Sequence, residues 1–154
     1  MKKDFTKEDI IKKHDTNIKS ALTAYFLAGA LGVIYIVRYL IKQEFDFYFS
    51  LSFTDVMLKL QSAGEISKAV SIAAIGIFAV VYAAALILLA KNSAHLITAT
   101  AVYTFDFAAL LFGTFVLFPK PETNDWLIDV LLHLFVMIFL VAGIYSHFKM
   151  KKMK

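Results

Sequence analysis

The sequence predicts an all-α integral membrane protein, a four-transmembrane-helix antiparallel bundle with a short amphipathic helix in its outer loop. Four apolar runs, at about 21–41, 69–90, 96–118 and 126–145, carry the prediction. Each approaches or exceeds the roughly 20 residues that a helix needs to cross about 30 Å of hydrocarbon. The composition agrees, with 60% hydrophobic and 15% aromatic residues and a mean hydropathy of +0.70, well above the balance of soluble chains. None of the runs alternates polar with apolar residues as a transmembrane β-strand must. Helices that satisfy their own amides are then the form open to them in lipid.

The 154 residues read as one domain, with polar tails at 1–20 and 146–154 and no linker rich in Pro, Gly or Ser. In the first tail, Thr6 can cap a helix with Asp9 three positions on, and Ile10, Ile11 and Ile18 give a sparse apolar face among lysines. That suits a short helix on an anionic membrane surface or a solvated tail. The first run follows about 20 mainly polar residues and ends in Arg38-Tyr39-Leu40-Ile41-Lys42, so it reads as a retained span and not a signal peptide.

Between the first two spans, Phe45, Phe47, Tyr48, Phe49, Leu51 and Phe53 precede a predicted helix from Thr54 to Ala63, capped by Ser52 or Thr54 and stopped by Gly64. Such aromatic density places this segment in the interface or in the outer mouth of the bundle. The second span is small nearly throughout, and the first carries Ala24, Ala28 and Gly32 on one face. Small faces let helix backbones approach closely. These two spans are therefore predicted to pack together, or to form a seam with a second copy or another membrane protein. The third and fourth spans, richer in Phe and Leu, form a hairpin through the turn 119–125.

Lysine and arginine near span ends are retained on the cytoplasmic side. Eleven basic residues fall on the side of the two termini and five on the other, Arg38 included. Both termini are expected in the cytoplasm, and the protein in the plasma membrane. The net charge of +4 needs no nucleic-acid partner to explain it. The expected partner is the lipid bilayer.

Ionisable groups at membrane depth are costly and commonly mark a site. Asp106 lies near the middle of the third span, with Tyr82 at similar depth on the second and Tyr103 and Thr104 nearby. It reads either as a neutral acid in an interhelical hydrogen bond or as a carboxylate that handles protons or a cation. Asp125, Asp129 and His133 form one stripe down the fourth span. The i, i+4 pair Asp129 and His133 can hold a metal, orient an imidazole or join a proton path. A third metal ligand is missing, since counting helical rise leaves Asp106 about 7 Å deeper and pointing away. Arg38, about level with Asp129, can pair with it or snorkel to the headgroups.

The sequence of Phe105-Asp106-Phe107, a short acidic turn, Ile128-Asp129, His133 and Ala142-Gly143-Ile144 before a basic tail resembles small four-span membrane proteins of low-GC Gram-positive bacteria. The likeness covers the third and fourth spans. It implies a four-span fold and a bacterial plasma membrane, and carries over no functional residue.

The chain has no cysteine, which excludes thiol chemistry. It also has no Gly-rich phosphate loop, no HExxH and no facing histidine pair for haem, so neither a cofactor nor a metal is expected. The leading expectation is a non-catalytic membrane protein that acts by helix–helix contact, as an accessory, immunity-like or oligomeric subunit. The alternative is a proton- or cation-coupled transporter or channel component using Asp106, Asp129 and His133, with an intramembrane metalloenzyme more remote.

Overall fold

The computed structural model describes residues 6–42, 51–117 and 125–153, so the aromatic run at 45–49 and the turn at 119–124 lie outside it. The elements are α1 (Lys7–Lys42), α2 (Ser52–Ser62), α3 (Lys68–Lys91), a 3-10 turn (Ser93–His95), α4 (Leu96–Phe112) with a π turn over Gly113–Leu117, and α5 (Asp125–Met153). Among the described residues there is no strand. Four stretches, Lys7–Tyr39, Lys68–Lys91, Ser93–Leu117 and Trp126–Met153, are long and apolar enough to cross a membrane.

α1 starts where the sequence says it should. Thr6 Oγ1 accepts from the Asp9 amide at 3.2 Å, and Asp9 Oδ2 accepts from the Thr6 amide at 3.1 Å, a reciprocal capping box. The helix does not stop before the apolar run, however. Its 36 residues form one rod, about 54 Å long at 1.5 Å per residue, so the expected short tail helix is the first part of the span. α5 likewise runs past 145 to Met153. The extensions are pinned together, with His14 Nδ1 3.1 Å from Ser146 Oγ and Asn17 Nδ2 donating to the same oxygen at 3.0 Å.

α1 packs most extensively against α5, not α3. Many of α3's small residues, among them Ala73, Gly76, Ala79, Ala83 and Ala84, face outward. What α3 buries is aromatic: Tyr82 stacks on Tyr25 at 4.2 Å and donates to the Tyr25 carbonyl at 2.7 Å. The interior is rich in tyrosine, with Tyr25, Tyr35, Tyr82 and Tyr103 all buried, while Val80 is 70% and Ile138 65% exposed. Apolar residues outside and polar-edged rings inside invert the soluble pattern.

α2 lies against α3 and α4 and ends before Gly64, whose φ of +78° suits glycine. Gly32 of α1 makes room for its start, since a Cβ there would sit 2.5 Å from Leu51 Cγ. Gly32→Ala should therefore destabilise the protein by about 1–3 kcal/mol through overpacking. A Cβ on Gly76 meets nothing within 4 Å, so Gly76→Ala should not destabilise and should gain up to about 1 kcal/mol from helix propensity. Thermal unfolding of the two variants in detergent compares them.

Candidate functional site

Five of the seven buried polar residues among those described, Ser52, Thr54, Ser71, Asp106 and His133, lie on or beside α2. A helix leaves its first amides without intrahelical partners, and a side chain at the N-cap usually accepts from one of them. Here the N-cap is Leu51, which makes no side-chain cap bond. Asp106, half-way along α4 and its π turn, takes that role from outside, its Oδ1 accepting from the Phe53 amide at 2.9 Å. The carboxyl group also faces the positive end of the α2 dipole. It is fully buried, at 0% exposure.

Its other oxygen meets α5. Asp106 Oδ2 lies 3.3 Å from His133 Nε2, and Ser52 Oγ lies 3.0 Å from the same nitrogen. His133 Nδ1 faces the Asp129 carbonyl at 2.8 Å. A carbonyl only accepts, so Nδ1 carries a proton. Nε2 is then the nitrogen that meets both Asp106 and Ser52, so the buried groups are partnered in an interior where an unpaired polar atom is costly. The imidazole is held flat between Tyr103, at 5.5 Å and 25°, and Phe107, at 5.7 Å and 15°. These two rings sit one turn apart on α4 and fix the ring plane.

The same short helix is bonded to every long one. Tyr35 of α1 donates to Asp55 Oδ1 at 2.6 Å, and Lys59 pairs with Asp55 Oδ2 at 2.7 Å. Ser71 of α3 donates to the Met57 carbonyl at 3.3 Å. With Asp106 of α4 and His133 of α5, four different helices each place a polar group on α2. Gly113 admits its side, where an added Cβ would sit 2.5 Å from Val56 Cγ2.

Of the residues singled out from sequence, Asp106 and His133 come together, although rise counting separates them. Asp129 contributes its main-chain carbonyl. Tyr82 does not join the site, because its hydroxyl is committed to Tyr25. Arg38 lies part-exposed on α1. Ser52, expected to cap its own helix, turns its hydroxyl to His133 instead, and Asp106 does the capping. Ser52, Tyr35, Asp55 and Ser71 carry no signal that marks them in advance, since each contact depends on where α2 docks.

The site brings a serine beside a histidine, which the sequence alone does not reveal. A relay needs Nε2 free to take the serine proton, with the acid on Nδ1. Here the acid shares Nε2 with Ser52, and a carbonyl occupies Nδ1. Among the described residues no group of three or more His, Cys, Asp or Glu could hold a metal. Among the described residues, apolar grooves open on the surface between α1 and α5, between α2 and α4 and between α3 and α4, and Asp106 and His133 line none of these three. The geometry fastens helices together.

Asp106→Leu leaves the Phe53 amide and His133 without the carboxyl group. It should cost about 1–3 kcal/mol, the penalty of one buried donor left unsatisfied, since His133 keeps its contact with Ser52. Asp106→Asn keeps an acceptor for Phe53 and should cost less than half as much. Chemical unfolding in mixed micelles measures both. Comparison with known proteins finds no matching family model, no matching curated protein and no matching solved structure.

Proposed function

We propose that this chain is a multi-pass plasma-membrane protein of non-catalytic type that acts by helix–helix contact, as an accessory, immunity-like or oligomeric subunit. In this reading α1, α3, α4 and α5 form an antiparallel four-span bundle with both termini cytoplasmic, and α2 is a helix of the outer loop folded into the bundle. The carrying observation is that both oxygens of Asp106 and both ring nitrogens of His133 are engaged within the chain. The costliest groups at membrane depth thus serve cohesion.

Contact needs surface, and the outward apolar side chains supply it. The exposed small residues of α3 would let another helix approach closely. Ala28 and Gly32 of α1 are buried within the chain, whereas Ala24 is only partly covered. Of the three seam residues read from sequence, Ala24 is the one that keeps part of its surface uncovered.

A second reading keeps the Asp106–His133 pair as a proton-handling element, favoured by their 3.3 Å approach. Reconstitution into liposomes with an internal pH-sensitive dye separates the two. Under an imposed potential, the contact reading predicts proton flux equal to that of empty liposomes, for wild type and Asp106→Asn alike. Flux in wild type that Asp106→Asn abolishes would overturn it in favour of transport. Carbonate washing tests the membrane assignment separately, with the protein expected to stay in the pellet.

A further inference from the structure

We infer that the groove between α1 and α5 seats one acyl chain of an anionic phospholipid, with its phosphate at Lys19. This rests on the membrane reading above and goes beyond it, because it assigns a ligand class to one surface. The groove measures about 520 Å³. Ala24 and Ala28 lie along it on α1 and Val136 on α5, with Leu27 and Phe135 among its apolar side chains. One end alone is polar, where Thr16, Lys19, Ser20 and Thr23 meet it.

Length and charge identify the occupant. The groove follows α1 from Thr16 to Leu31, fifteen residues and about 22 Å of helical rise. Its part beyond Lys19, about 18 Å, is close to the roughly 15 Å of hydrocarbon in one leaflet. A second transmembrane helix would run the full thickness, whereas an acyl chain hung from a headgroup ends near the midplane. Lys19 is the basic residue that lines the polar end, and the same ends of the two helices carry Lys7, Lys12 and Lys13 on α1 and Lys149, Lys151 and Lys152 on α5, with Glu8, Asp9 and Asp15 among them. The contacts of His14 and Asn17 with Ser146 place both helix ends at one level. Lys19 is paired with Asp15 at 2.6 Å, yet its side chain is 74% exposed and open to a phosphate from the membrane side. Basic residues grouped at a membrane surface attract anionic headgroups in this way.

The test is native mass spectrometry of the full chain in detergent, with equal phosphatidylglycerol and phosphatidylcholine added. Wild type should retain one phosphatidylglycerol in preference to phosphatidylcholine. Lys19→Gln, at an exposed position, should lower that preference about fivefold, the factor one lysine near an anionic surface supplies. Ala24→Phe, which fills the groove, should lose both lipids, and circular dichroism checks that it folds. Equal retention of the two lipids by wild type, or unchanged selectivity in Lys19→Gln, would overturn the inference. So would a concentration-dependent dimer in light scattering that Ala24→Phe dissolves, because the groove would then belong to a second copy. Protein that stays monodisperse without detergent defeats the membrane reading itself, an outcome distinct from these.

Discussion

A helix end buried in protein must find acceptors for its first amides, and that requirement organises this molecule. α2 begins half-way along α4, where Leu51 brings no acceptor of its own. Asp106 supplies one from a different helix, and everything near it follows. Once one carboxyl oxygen is committed to Phe53, the other takes His133, and His133 in turn receives Ser52 from the first residue of α2. Removing the carboxyl group would leave the Phe53 amide without its acceptor and His133 Nε2 with Ser52 alone. Gly32 and Gly113 belong to the same arrangement, because a side chain at either would collide with α2.

The distribution of polarity points the same way. Each long helix spends a polar group on α2, and α1 with α5 spends another set on Ser146 at the opposite end. Between the two lies the tyrosine cluster of Tyr25, Tyr82 and Tyr103, in which rings pack while the Tyr82 hydroxyl reaches a carbonyl. In lipid the hydrophobic effect gives no drive for helices to associate, so packing and interhelical hydrogen bonds must hold them. The described structure thus keeps interhelical hydrogen bonds inside and many of its large apolar side chains outside.

Much of this is legible in the sequence. The apolar runs locate the four long helices, the Thr6–Asp9 spacing marks the start of α1, and Gly64 marks the end of α2, because each signal is local. Asp106 and His133 stand out one at a time for the same reason, as ionisable groups in apolar runs. Their meeting was not legible. Counting rise from the ends of the runs assumes straight ideal helices entering at one level, whereas α4 continues through a π turn and α5 begins at Asp125 and extends beyond its apolar run. Tyr82 failed in the opposite sense: matched depth is not matched direction, and its ring stacks on Tyr25. Local spacing offers Ser52 or Thr54 as the cap of α2, but the N-cap is Leu51 and a tertiary contact turns Ser52 to His133.

The absence of cysteine permits a direct test of how α2 is held. A Cβ on Gly113 would lie 3.9 Å from Val56 Cβ, inside the 3.5–4.5 Å span of a disulfide. The measurement is the yield of intrachain cross-link in Val56→Cys/Gly113→Cys after mild oxidation in native membranes, with and without Asp106→Leu. The account predicts efficient cross-linking when Asp106 is present and a marked fall when it is replaced. Absence of the cross-link with Asp106 in place, both thiols being open to maleimide, would contradict the docking of α2 against α4. Undiminished cross-linking in Asp106→Leu would contradict its dependence on the carboxyl group.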